Sequence, residues 1–200
     1  MKWCPIIDEE LEETYLISPL TGNLLVVPKD DWDSAQTLAE LSRQGLTTCS
    51  RVSNLNLADD RDGYIPLPHP ELKVTLISRV ILLTLWYTLS FITPILGPAY
   101  TVATLKFLAR FSCATKSRTV AEILDATKLI EGEYHGDTCL VRSLMRYFLL
   151  RHSGIDSSVA LGVFPPTSRM HAWVVVSNVA VGEEPDELMH YQPALLLGTT

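Results

Sequence analysis

Paired cysteines are missing from this sequence. Its four cysteines, Cys4, Cys49, Cys113 and Cys139, include no CxxC spacing, which argues against a zinc knuckle. The first residues, MKWCPIIDEELEETY, contain no apolar run and turn acidic at once, unlike a secretory signal. A cytosolic setting with reduced thiols is therefore expected. Basic charge is also scarce. The formal net charge is -7 and no local cluster of Lys and Arg offsets it, so nucleic acid is not the expected partner. Charged residues make up only 20% of the chain and hydrophobic residues 47%, the balance of a folded protein with a substantial core.

One stretch lacks charge altogether. From Val80 to Leu105 there is no Asp, Glu, Lys or Arg. The length suits a membrane crossing, but Pro94, Gly97 and Pro98 cut it into VILLTLWYTLSFIT and AYTVATLKFLARF, each short for a full span. A pair of buried helices, or a helix with one face kept for a partner, is the leading expectation. Peripheral or re-entrant membrane contact is the second.

The rest divides by period. TYLIS and LLVVP, around PLTGN, read as two short strands and a turn. KDDWDSAQTLAELSRQG reads as a helix capped by Asp33 or Ser34 and stopped by Gly45. The polar, then Pro-rich NLADDRDGYIPLPHPEL reads as a linker. The expected domains are 1-68 and 69-200. In the second, TVAEILDATKLIEGEY is an amphipathic helix through Val120, Ile123, Leu124, Thr127 and Ile130. Residues 138 to 152 form another, ended by Gly154. SSVALGVF and HAWVVVS are strands, and Ser177-Asn178 turns into VAV ahead of the acidic GEEPDEL and a tail. The expected class is α+β, with a helical middle.

Chemistry concentrates near Cys139. On the helix it opens, Leu140, Leu144 and Phe148 form an apolar stripe, and Cys139 lies off it with Arg142, Ser143 and Arg146. A filler thiol belongs inside the stripe. A thiol in the first turn, capped by Asp137 or Thr138, meets the positive end of the helix dipole, which favours the reactive thiolate. The free amides there can also hold an oxyanion. Such a nucleophile needs a base, and the base an orienting group. His171 opens a strand and shares its face with Trp173 and Val175. One helix, one strand and a return loop separate it from Cys139, which brings the two together. His135 competes as base. Glu183, Glu184 and Asp186 are the available acids.

The segment DTCLVRSLMRYFLLRHSGIDSSVALGVF followed by RMHAWVVV resembles the leader peptidases of lasso-peptide biosynthesis, which are transglutaminase-like cysteine proteases. The resemblance rests on Cys139-Leu140, Gly154-Ile155, Gly162-Val163 and His171 to Val174. It implies a transglutaminase- or papain-like helix plus antiparallel sheet, with a core at 120-195. It also implies an endopeptidase that removes the leader from a ribosomally made precursor before ring closure. Cys139 would be nucleophile, His171 base and Glu183 the orienting acid, with Asp186 in reserve because the family usually has Asp. No cofactor or metal is implied. The partners would be the precursor and an ATP-dependent macrolactam synthetase. Residues 80-105 would dock that synthetase or an exporter, placing the protein in the cytoplasm or against the inner membrane. The fused form of the family adds a winged-helix-like leader-recognition unit in front. There the leader would join a sheet edge at Tyr15, Leu16, Ile17 or at Leu24, Leu25, Val26. Two other readings stay open, a thiol acyltransferase on the same scaffold and a non-catalytic leader-binding scaffold.

Overall fold

A computed structural model describes residues 4–8, 13–17, 24–28, 76–111, 118–131, 139–164 and 167–198. The expected helix at 29–45, the linker and the 68/69 domain boundary lie outside these residues. Near the N-terminus, β1 (Cys4–Asp8), β2 (Glu13–Ile17) and β3 (Leu24–Pro28) form an antiparallel sheet in sequence order. The sequence reading found only the last two strands. In this sheet β2 is the middle strand, paired from Glu13 to Ile17 on both sides. Of the two expected leader edges, Tyr15–Ile17 is therefore closed, and only Leu24–Val26 on β3 lies on an edge strand.

The uncharged stretch becomes α1 (Leu76–Leu96) and α2 (Pro98–Phe111). Pro94 does not cut α1. It sits in the last turn, and the break falls at Gly97. Gly97 has φ 77, donates its N–H to the Thr93 carbonyl (2.8 Å) and accepts from the Thr101 N–H (3.0 Å). It closes one helix and opens the next, with Pro98 at the position where a missing N–H costs nothing. Neither helix is wholly buried. Leu82, Trp86 and Leu89 of α1, and Val102 and Leu105 of α2, face the core, while the opposite sides stay exposed.

In α3 (Val120–Glu131) the start is a capping box. Thr119 N–H donates to Glu122 Oε2 (2.8 Å) and Glu122 N–H donates to Thr119 Oγ1 (3.3 Å), so two orphan donors are satisfied reciprocally. The central element is α4 (Cys139–His152), which packs against α1, α2, α3 and the main sheet. It ends as its Gly-Ile pair requires. Gly154, at φ 80, donates to the Arg151 carbonyl and Ile155 N–H donates to the Leu150 carbonyl, the Schellman arrangement.

The main sheet is antiparallel, in the order β6-β5-β4-β7. It comprises β4 (Ser158–Phe164), β5 (Arg169–Val176), β6 (Val179–Val181) and β7 (Gln192–Leu197). Ser177 and Asn178, with φ of 51 and 66, supply the left-handed pair that a two-residue hairpin turn between β5 and β6 needs. What reads in sequence as a tail is β7, held because Ala194, Leu195 and Leu197 are buried. Alternation gives the sheet two dry faces. Val159, Leu161, Val163, Ala172, Val174 and Val181 pack with the helices. Ala160, Trp173 and Val175 form a second cluster with Leu188 of the one-turn α5 (Pro185–Leu188).

Gly162 connects this packing to the site described below. A Cβ there would stand 2.6 Å from the Trp173 ring and 2.9 Å from the Gln192 carbonyl oxygen. Gly162→Ala should therefore destabilise the domain by about 1–3 kcal/mol, the usual cost of overpacking. Thermal melting of the full chain measures this, and an unchanged melting temperature would show that Trp173 moves freely.

Candidate active site

The first two turns of α4 present Cys139, Arg142, Ser143 and Arg146 on one helix face, at i, i+3, i+4 and i+7. Opposite them runs the start of β5. Because β6 pairs with β5 only from Val174 to Val176, no strand among the described residues pairs with the β6-side flank of β5 at Ala172. Helix α4 occupies that position. Ser143 Oγ donates to the Ala172 carbonyl (2.8 Å), and the Ala172 backbone N–H reaches the Cys139 sulfur. Both polar groups of one strand residue are thus met by side chains one helical turn apart.

That contact places His171, the preceding residue, beside the thiol, within hydrogen-bonding reach of Cys139. The imidazole is bracketed by aromatic rings. Trp173 stacks with it at 6.1 Å between centroids and 19° between planes, and Tyr191 sits at 5.0 Å. Its Nε2 lies 3.4 Å from Glu183 Oε2, at ion-pair distance but without the alignment of a hydrogen bond. Contacts of this kind in unliganded sites commonly tighten when substrate binds.

Glu183 is only 4% exposed. Arg142 Nη2 donates to both of its oxygens (2.8 and 2.9 Å), and Arg146 Nη1 donates to Oε1 (3.0 Å). Arg146 is itself 1% exposed and is held further by the Gly182 carbonyl (3.2 Å) and Thr127 Oγ1 (3.3 Å). A buried carboxylate is tolerable only when compensated in this way. Gly182, at φ 76, makes the turn into Glu183, and a Cβ there would meet Leu124 and Arg146.

The structure therefore brings Cys139, His171 and Glu183 into one row. Asp186 is exposed on α5, and Glu184 is exposed as well. His135, Asp137 and Thr138 lie outside the described residues. The sequence reading placed Arg142, Ser143 and Arg146 on the right face but named no partner for them; nearby arginine charge would also favour the thiolate. Arg142 does exert that effect, as its weakest contributor. The principal contacts of the arginines are with Glu183, and Ser143 ties the helix to the strand. An arginine at i+7 from the cysteine, on a helix buried nearly all round, was the signal that a buried acid faces it.

The charges reinforce one another. Burial pushes the Cys139 thiol up, but the hydrogen bond and charge of His171, the Ala172 amide and the Arg142 charge together bring it below its ordinary value. Burial pushes His171 down, and the hydrogen bond with Cys139 together with the nearby Glu183 and Cys139 charges outweighs it, raising the imidazole to about 9. Burial pushes Glu183 up, and His171, Arg142 and Arg146 bring it below the ordinary carboxylate value. The arrangement favours a thiolate beside an imidazolium near neutral pH.

The sequence model of the transglutaminase-like superfamily matches residues 83–196. This chain belongs to the transglutaminase-like superfamily. The matched segment covers most of α1, all of α2, α3 and α4, and nearly all of the main sheet. The helical middle is thus part of the transglutaminase-like domain, whose family match begins well before residue 120. No curated protein and no solved structure gives a significant match to the chain. The superfamily covers cysteine peptidase and acyltransferase chemistry, and the α+β helix-plus-antiparallel-sheet architecture fits it.

Two measurements test the site. Alkylation of Cys139 by iodoacetamide, followed on its own peptide by mass spectrometry, should rise at a pH below the usual thiol range. His171→Ala should move that rise to higher pH, because it removes the strongest influence that favours the thiolate. Arg146→Met should destabilise the chain by about 3 kcal/mol in chemical denaturation, since it leaves Glu183 buried with one cation fewer. Adding Glu183→Gln should recover much of that loss.

Proposed function

We propose that this protein is a cysteine endopeptidase that removes the leader from a ribosomally synthesised lasso-peptide precursor before macrolactam closure. The observation that carries the reading is the row Cys139–His171–Glu183, with the thiol lowered and the imidazole raised. The substrate class rests on the motif resemblance, and two of its glycines have clear physical duties. Gly154 ends α4 in a left-handed conformation, and Gly162 leaves room for the ring that stacks on His171.

In this reading the Cys139 thiolate attacks the scissile carbonyl carbon. The tetrahedral oxyanion is held by backbone N–H groups of the first turn of α4, which lack intrahelical acceptors. The His171 imidazolium gives its proton to the leaving amine as the C–N bond breaks, leaving a thioester on Cys139. A water then loses a proton to neutral His171 and attacks the thioester. The leader leaves as a carboxylate and the thiolate–imidazolium pair is restored. Glu183 orients the imidazole and stabilises its charged form. Glutamate fills the place usual for aspartate because two arginines hold its longer side chain in one position.

The leader joins β3, an outer strand among the described residues, at Leu24, Leu25 and Val26, where backbone hydrogen bonds supply affinity. The freed core peptide, with a new N-terminal amine, passes to an ATP-dependent synthetase in the cytoplasm. No cofactor takes part in hydrolysis.

The test is mass spectrometry of the protein mixed with a ribosomally made lasso-peptide precursor. Leader and core should appear, each explained by addition of one water. Cys139→Ala should abolish cleavage while leader binding remains. His171→Ala should lower the rate at least about a hundredfold, as expected for loss of general acid–base catalysis. A product carrying an added amine in place of water would instead identify an acyltransferase. Normal maturation with Cys139→Ala would identify a binding scaffold.

A further inference from the structure

The outer sides of α1 and α2 have no duty in the site described above. On α1, Val80, Tyr87, Phe91 and Ile95 lie along one line of the helix and are 55–72% exposed. Tyr100 and Phe107 repeat the pattern on α2 at 58% and 57%. Monomeric surfaces rarely expose so many large apolar side chains on two successive helices.

Three further observations bear on what covers them. First, residues 76–111 contain Arg79, Lys106 and Arg110 and no acidic residue, in a chain whose net charge is -7. At 100° per residue, Arg110 lies beside the Tyr100–Phe107 line and Lys106 farther round on the same side, so neither interrupts it. Second, two threonine hydroxyls on the exposed side of α1 are already satisfied within the helix. Thr84 Oγ1 donates to the Val80 carbonyl (2.8 Å) and Thr88 Oγ1 donates to the Thr84 carbonyl (2.7 Å), so these groups do not require water. Third, an apolar cavity of about 660 Å3 is lined by Val80, Ile81 and Thr84 from this side and by Phe148 and Leu149 of α4, with Arg118 among its residues.

We infer that α1 and α2 lie on the surface of an anionic lipid bilayer. The apolar rings enter the boundary between headgroups and acyl chains, Arg79, Lys106 and Arg110 meet the headgroup charge, and an acyl chain fits the cavity. Segment Ser78–Leu96 is also long and apolar enough to cross a bilayer. It does not do so while folded as here, because Leu82, Trp86 and Leu89 belong to the core shared with α4. A helix with one face fixed in a protein core offers only the other to lipid. This inference is independent of the reaction catalysed at Cys139.

The experiment is co-sedimentation of the full chain with vesicles of phosphatidylcholine alone and of phosphatidylcholine mixed with phosphatidylglycerol. Binding should be strong to the mixed vesicles, weak to phosphatidylcholine alone, and reduced by added salt. Phe91→Asp with Phe107→Asp should lower binding at least about tenfold, with thermal melting and Cys139 alkylation unchanged. Arg110→Gln should lower binding to the mixed vesicles alone. Three results would overturn the inference. One is no binding to either vesicle, as expected if residues 29–75 of the same chain cover the face. Another is equal binding to both vesicles. The third is a dimer in analytical ultracentrifugation that the double variant dissolves, which would assign the face to a second copy.

Discussion

A carboxylate removed from water between two guanidinium groups is the constraint on which the active region depends. Glu183 cannot stay charged at 4% exposure without Arg142 and Arg146, and Arg146 cannot be buried without Glu183. Each charge makes the other tolerable. The pairing joins the middle of α4 to the turn after β6, two parts of the chain with no local reason to meet. Once they meet, His171 Nε2 has an anion 3.4 Å away and its protonated form is favoured. The thiolate is favoured in turn.

The second restraint is mechanical. Helix α4 stands where a longer β6 would have stood, and it satisfies Ala172 with Cys139 and Ser143. The thiol and the strand carrying the imidazole are therefore positioned by the same contact. Trp173 and Tyr191 hold the ring from its faces, and Gly162 gives Trp173 its space. The thiol stays half-buried, held by packing and hydrogen bonds. Burial alone would have raised the thiol and silenced it. Here the specific partners win over desolvation.

The helical middle contributes differently. It shields α4 with Leu82, Trp86, Leu89, Val102 and Leu105 and turns its remaining apolar side chains outward. The sequence reading expected buried helices or a helix with one face kept for a partner, and composition alone does not separate these. An uncharged run of this length looks the same whether one side or both are covered. Only the packing partner decides, and α4 lies on one side alone.

Much of the local structure was legible because it depends on near neighbours. Helical spacing marked α3 and α4, Gly154 marked a helix end, and Ser177-Asn178 marked a hairpin turn. The off-stripe position of Cys139 and the place of His171 at a strand start were readable for the same reason. The edge position of β2 was misjudged and β1 and β7 were missed, since strand order depends on pairing between distant segments and a short strand carries a weak signal. The choice among Glu183, Glu184 and Asp186 was equally beyond local pattern, because three acids within four residues look alike until burial separates them. By itself the sequence determined the periodicities, the stops and the chemical types available for a thiol–imidazole site. Tertiary structure alone decided which arginines hold Glu183, the acid that the family resemblance put first, and which apolar faces remain uncovered. The physical reason is that desolvation and charge pairing act between residues brought together only by the fold.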